Sequence, residues 1–270
     1  MSAGSQKVVL ITGGSSGIGF ECARLLLMRG HKLVLAARDQ NNLDAAKSRL
    51  SDEFASGAID VMRLDVCDAA ACVAAVATIV ERHGGLDWLI TCAGIAEPGM
   101  FADLPMQSHR HQMETNYFGT LNVVQPVALM MRERRSGRIM LVASGAAFVG
   151  IAGYSGYTPG KCAVRALGEA LYVELASFGV SVCVAFPPDT DTPQLAQENR
   201  TKPAVTKAIT ASGNVWPAPV IARRLLDQAE AGRFMLTPTI LMTLFSRLHS
   251  LYAPAFLRRQ IRMLRTFTRP

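Results

Sequence analysis

Short apolar runs rich in Val, Ile and Leu alternate with longer stretches of helical periodicity along most of this chain. The runs are Val8–Thr12, Lys32–Ala36, Ile59–Leu64, Trp88–Thr91, Arg138–Ala143 and Val180–Phe186. Few folds accept that pattern. A strand covered by helices on both faces reads as a continuous apolar run. Strands alternating with helices of this length form parallel crossover units. The helical patterns are Ile18–Arg29, Gln40–Ser51, Ala69–Arg82, Ser108–Arg134, Ser155–Phe178 and about Pro217–Ala231. The expected fold is therefore α/β, a doubly wound parallel sheet with helices on both faces. At 270 residues the chain is long enough for one large domain with a full core.

The first run leads into Thr12-Gly13-Gly14-Ser15-Ser16-Gly17-Ile18-Gly19 and then into a helix. Strand, glycine turn, helix is the setting in which such a motif can hold phosphate. Gly13 and Gly17 permit a tight turn and close approach of backbone to a pyrophosphate, and Gly19 lets the helix pack on the sheet. Ser15, Ser16 and Ile18 complete the turn, where unpaired helix amides face the anion. A Rossmann-type dinucleotide site is the expectation. The second strand ends Ala36-Ala37-Arg38-Asp39. An NAD site needs an acid near this point for the ribose 2′-hydroxyl. Neutral Ala37 and cationic Arg38 instead suit a 2′-phosphate, with Ser15 or Ser16 as hydroxyl partners, so the expected cofactor is NADPH. Asp39 reads as the cap of the next helix.

Tyr157-Thr158-Pro159-Gly160-Lys161 carries the second piece of chemistry. Residues at i and i+4 share a helix face about 5–6 Å apart. A free phenol, with a pKa of about 10, is a poor base at neutral pH. A neighbouring ammonium and an oxidised nicotinamide favour the phenolate and are expected to lower that value. In the reductive direction the same phenol protonates the developing alkoxide. Pro159 is tolerated if the helix starts about here. Ser144, just past a predicted strand, can orient a substrate oxygen. Asn116, polar in an apolar helical stretch, reads as the holder of a water linking Lys161 to solvent. Taken singly, either residue reads more readily as a cap or a helix-surface group.

In order and spacing these motifs resemble the classical short-chain dehydrogenases/reductases over residues 7–238. The resemblance implies a catalytic group of Asn116, Ser144, Tyr157 and Lys161. It also implies that Asp65 and Val66 meet the adenine and that Ala93 and Gly94, after Cys92, line the cofactor. Tyr157 and Lys161 count among the cofactor contacts too, with Pro187 and Thr192; Thr192 would touch the nicotinamide carboxamide. A homodimer or homotetramer, paired through the helices holding Asn116 and Tyr157, is implied as well. Pro187-Pro188-Asp189-Thr190-Asp191-Thr192-Pro193, followed by Glu198-Asn199-Arg200-Thr201-Lys202-Pro203, is similar to the narrower family of 3-ketodihydrosphingosine reductases. That family implies a long-chain 3-ketone substrate reduced in sphingolipid biosynthesis. The chain departs from its eukaryotic members in lacking an N-terminal membrane segment and in Ala143 and Gly145 beside Ser144. For Asp189 and Asp191, turn formation or capping stands beside pairing with a substrate ammonium. Another hydrophobic carbonyl (steroid, retinoid or fatty ketone) and a non-catalytic, membrane-bound NADPH-binding scaffold are the rival functions.

Charge is unevenly placed. The net charge is +7, yet residues 231–270 hold seven arginines and no acid, so the rest of the chain is neutral. So confined an excess, without a nucleic-acid motif, does not read as a nucleic-acid surface. Residues 1–238 are expected to form the reductase domain, the polar stretch of about 194–216 its structureless lid or a surface loop, and 239–270 a basic amphipathic tail. No run in the tail reaches the roughly 18–20 uncharged residues of a spanning helix. From Ala255, Leu257, Ile261, Leu264 and Phe267 fall on one helical arc and Arg258, Arg259, Arg262 and Arg265 on the other. That suits a helix lying in a bilayer interface; packing on the enzyme or on a partner subunit is the other reading. The six scattered cysteines and the histidines lack metal-ligand spacing. Reduced thiols and a short polar Met1–Lys7 without a signal peptide point to the cytoplasm, peripheral at a membrane face.

Overall fold

The structure, a computed structural model, describes residues 6–54, 56–211 and 213–267. Arg269 of the tail and residues 1–5 lie outside the described residues. In chain order the elements are β1 (Val8–Thr12), α1 (Gly17–Met28), β2 (Lys32–Ala37), α2 (Gln40–Ser51), β3 (Ile59–Arg63), α3 (Ala69–His83) and β4 (Trp88–Thr91). There follow α4 (Met106–Met113), a π-helical turn at Glu114–Phe118, α5 (Gly119–Arg134), β5 (Gly137–Val142), α6 (Tyr157–Ala176) and β6 (Val180–Ala185). The chain continues through β7 (Thr190–Asp191), α7 (Pro193–Thr201), α8 (Ala204–Thr210), β8 (Trp216–Pro217), α9 (Ala218–Glu230), β9 (Met235–Leu236) and α10 (Ile240–Phe267).

Seven parallel strands lie in the order β3-β2-β1-β4-β5-β6-β9. The order reverses between β1 and β4, which opens a crevice at their carboxyl ends. Alternation along each strand divides the core in two. Leu10, Leu89, Ile139 and Leu141 face one cluster with Val76, Val127 and Val164 from α3, α5 and α6. Val9, Ile11, Ile90 and Met140 face the other with Leu26, Leu43 and Leu225 from α1, α2 and α9. The central strands β1, β4 and β5 are thus apolar on both faces, which is why they read as unbroken apolar runs.

Four details differ from the sequence expectation. The predicted Ser108–Arg134 helix is broken by the π turn, a wider coil that rotates Asn116 inward. The stretch expected to be structureless holds α7 and α8, tied at its ends by β7 pairing with β8. Strand β9 was not foreseen; two residues are too few to show a pattern. The tail is helical from Ile240, with Pro254 inside the helix and a kink at Leu248. By length and composition it is long and apolar enough to cross a membrane. Arg247 interrupts that stretch, and Met242 and Gln260 are buried. Gln260 clamps the loop before α6, accepting from the Ala152 amide at 2.8 Å and donating to the Gly150 carbonyl at 2.9 Å.

Candidate active site

A single cavity of about 1340 Å³ runs from Arg38 across the carboxyl ends of β1 and β4 to Tyr157 and on to α10. Gly13, at φ +66°, opens its floor: a Cβ there would sit 2.7 Å from the Ala93 amide nitrogen. A Cβ on Gly17, at φ +55°, would come within 3.1 Å of the Thr192 side chain, and one on Gly19 would strike the Gly13 carbonyl. Ser16 precedes α1 without a side-chain cap, and no acid occupies the first turn. The helix therefore offers uncapped amides to the cavity, where Ser15, Ser16, Gly17, Ile18 and Gly19 lie. Arg38 also lines it, and its guanidinium pairs with no carboxylate among the described residues. A glycine cradle, free amides and a free guanidinium fit a phosphorylated dinucleotide. Asp39 is occupied otherwise, accepting the Asn42 amide at 2.9 Å as the cap of α2.

At the other end, Tyr157 opens α6 and Lys161 follows one turn later. With the helix beginning at Tyr157, Pro159 falls in its first turn, where its missing N–H leaves no bond unmade. Lys161 is 6% exposed; its Nζ donates to the Val142 carbonyl at 3.0 Å and lies 5.7 Å from the Tyr157 ring centroid. Ser144 lines the cavity with Tyr157, and its hydroxyl accepts from the Ala146 amide at 3.1 Å. Asn116 is fully buried: its Oδ1 accepts from the Ile95 amide and its Nδ2 donates to the Ile95 carbonyl, both at 2.9 Å. It thus fixes the loop after β4. A side chain at Gly94 would meet Asn116 Oδ1 at 2.9 Å and Lys161 Nζ at 3.4 Å.

Burial drives the electrostatics. It pushes the Tyr157 phenol up, the Glu198 carboxylate adds to the rise, the Ser144 hydroxyl opposes it, and Asp189 adds a little more. That is the reverse of the expected lowering, because in the protein alone desolvation and the two carboxylates dominate. Burial also lowers Lys161 to about 8, with Cys92 and Glu198 holding it from falling further.

Most of the residues singled out in the sequence line the cavity: Ser144, Tyr157, Lys161, Val66, Ala93, Gly94, Pro187 and Thr192 join the glycine turn and Arg38. Asp65 and Asn116 do not. Asp65 accepts the Cys67 amide at 3.0 Å, which is turn chemistry, and Asn116 is closed over by Ile95. Thr192 caps α7, accepting from the Leu195 amide at 3.2 Å. Sequence reasoning missed Glu198, which Tyr154 and Gln194 hold at the cavity wall. A Gln at i and a Glu at i+4 was the available signal, hidden by reading the segment as structureless. It also missed that Ile240, Leu241, Met242, Phe245 and Phe256 of the tail form the far end of the same cavity.

The fold, the glycine turn and the Ser144–Tyr157–Lys161 cluster define a class. Residues 7–203 match the short chain dehydrogenase family, and the chain belongs to it. It is 38% identical over 84% of its length to 3-dehydrosphinganine reductase of Danio rerio, covering 69% of that protein. To 3-ketodihydrosphingosine reductase of Dictyostelium discoideum it is 31% identical, over 89% of this chain and 78% of that protein. Among solved structures, a short-chain dehydrogenase from Sphingobium yanoikuyae in complex with NADPH is similar, with a TM-score of 0.78 and 28% identity. The match covers 91% of this chain and 92% of that one.

Proposed function

We propose that this oxidoreductase uses NADPH to reduce the C3 ketone of 3-ketosphinganine to sphinganine, a step of sphingolipid biosynthesis. One observation carries the reading: a single cavity joins a phosphate cradle and the Ser144–Tyr157–Lys161 cluster to an apolar end built from α10. The likeness to the 3-ketodihydrosphingosine reductases, over most of the chain, supports the substrate. The uncapped amides of α1 and the turn from Gly13 to Gly19 hold the pyrophosphate, and Arg38 takes the 2′-phosphate. Leu64, Val66, Ala93, Gly94, Pro187 and Thr192 wall the cofactor. When bound, NADPH supplies the hydride to C3.

The protein's own residues handle the proton. Ser144 donates to the carbonyl oxygen and orients it, and Tyr157 Oη gives that oxygen its proton. Together with the hydride that NADPH would supply, that proton would turn the ketone into a secondary alcohol. Lys161 lies on the Tyr157 side of the cavity floor, where its charge favours the phenolate left behind. Asn116 acts through the backbone it fixes at Ile95. In this reading residues 1–238 form the reductase body, about 194–216 its lid, and 239–270 a tail that rests in a membrane face on the cytoplasmic side. Leu244, Leu251, Leu257 and Ile261 of α10 are exposed and support that placement. Exposed Leu129, Tyr172 and Val173 on α5 and α6 support pairing of subunits into a dimer or tetramer.

The test is NADPH oxidation by the purified protein with 3-ketosphinganine in mixed micelles, beside a steroid ketone and a simple aldehyde. Turnover confined to the sphingoid ketone is expected; turnover confined to the others removes the substrate assignment. A second measurement tests the cofactor. Arg38→Ala is expected to weaken NADPH binding by about tenfold or more while changing NADH little, because a charge-assisted phosphate contact is lost. Equal losses for the two nucleotides would count against a 2′-phosphate contact.

A further inference from the structure

Glu198 is an unusual residue to find at this wall. It is 8% exposed on α7, accepting the Tyr154 hydroxyl at 2.8 Å and the Gln194 amide at 3.0 Å. Each oxygen keeps a further acceptor site free, because a carboxylate offers about four. Asp189, half-buried before β7, lines the same end of the cavity. Its backbone is fixed, the carbonyl accepting from the Trp216 amide at 2.9 Å. Among the described residues no cationic side chain lies within ion-pairing distance of either acid; Lys202 attracts Asp189, and Lys161 attracts Glu198, only from farther off. Lys202, 5% exposed, stacks behind Tyr154 at 5.6 Å from its ring and does not line the cavity. The cations that do line it are Arg38 at the cofactor end, Lys161 beneath Tyr157, and Arg224, held 4.9 Å over the Trp216 ring.

This arrangement opposes the chemistry when the substrate is neutral. Donation of the Tyr157 proton leaves a phenolate in the field of both Glu198 and Asp189, and like charges in a buried site disfavour each other. A cation on the substrate, one carbon from the reacting carbonyl, would offset that repulsion at the point where it develops. We propose that Glu198 and Asp189 form the receptor for a primary ammonium adjacent to the ketone, selecting amino ketones over neutral ones. The inference rests on the amino-ketone reading above and assigns it to residues. It also gives α7 a purpose: Gln194, Tyr154 and the Thr192 cap hold Glu198 in place. Asp191, exposed on the outer side of β7, has no part in it.

The experiment compares kcat/KM of the full-length protein for 3-ketosphinganine with those for its N-acetyl derivative and for the matching hydroxy ketone without an amine. The wild type is expected to prefer the free amine by about tenfold or more, the size of a charge-assisted contact. Glu198→Gln and Asp189→Asn, each isosteric, are expected to reduce that preference by about tenfold. Turnover of 3-ketosphinganine with no wild-type preference overturns the inference and leaves the substrate reading standing. So does a preference that neither variant alters, since a merely structural role would slow all three substrates alike. Absence of any 3-ketosphinganine turnover, with reduction of other hydrophobic ketones, overturns both. The wild-type ratio needs no variant to fold.

Discussion

Replacing Tyr157 by phenylalanine is expected to lower NADPH-dependent ketone reduction by about 10²–10⁴-fold, the range for loss of a positioned general acid, while NADPH binding is nearly retained. The ring survives the change, including its packing against Tyr154 at a centroid distance of 5.7 Å, so α6 should begin where it does now. What disappears is the hydroxyl and its transferable proton. Burial and the Glu198 carboxylate hold that phenol above its ordinary value. It is therefore protonated across the neutral range and ready to donate at the start of each turnover. Single-turnover measurement of nicotinamide oxidation, beside NADPH titration by fluorescence, separates the two effects. Turnover within tenfold of wild type would take Tyr157 out of the proton-donor role.

The parts of this site that were legible in the sequence are those fixed by local chemistry. The turn from Gly13 to Gly19 and the Tyr157–Lys161 pair depend on spacing within a few residues, and their context was readable from strands buried on both faces. The parts that escaped depend on contacts across the fold. Asn116 stands in a π turn, and no periodicity announces one extra residue per turn. Its side chain therefore turned out to be closed over by Ile95 rather than open to water. Asp65 looked placed to meet an adenine, yet its oxygen had a nearer partner in the Cys67 amide. Glu198 became visible only when α7 folded against Tyr154, which lies 44 residues earlier. The direction of the Tyr157 shift needed burial, which sequence alone does not supply.

Changing Arg258, Arg259, Arg262 and Arg265 together to glutamine is expected to release the protein from vesicles containing anionic lipid. Each arginine near such a surface contributes about 1 kcal/mol, so the four together amount to about 10³-fold in partition. Arg258, Arg259 and Arg262 are exposed, as are Leu257 and Ile261 beside them, and the helix that carries them also closes the apolar end of the cavity. Its inner face is already engaged: Met242 is buried, and Gln260 is tied to Gly150 and Ala152. The substitutions leave those anchors alone, so the fold and the turnover of a substrate in detergent should persist while turnover of a bilayer-borne substrate falls. Flotation with vesicles of phosphatidylserine and phosphatidylcholine, at low and high salt, reads the first effect directly. Binding that survives both the four substitutions and high salt would mean that α10 holds the membrane through its apolar residues, by insertion around Leu244 and Leu251. Binding absent in the wild type would leave α10 a helix packed on protein, its exposed leucines awaiting a second subunit. The location of Phe245 and Phe256 at the cavity end argues for the membrane: a long chain drawn from a bilayer beneath α10 would pass these rings on its way to Tyr157.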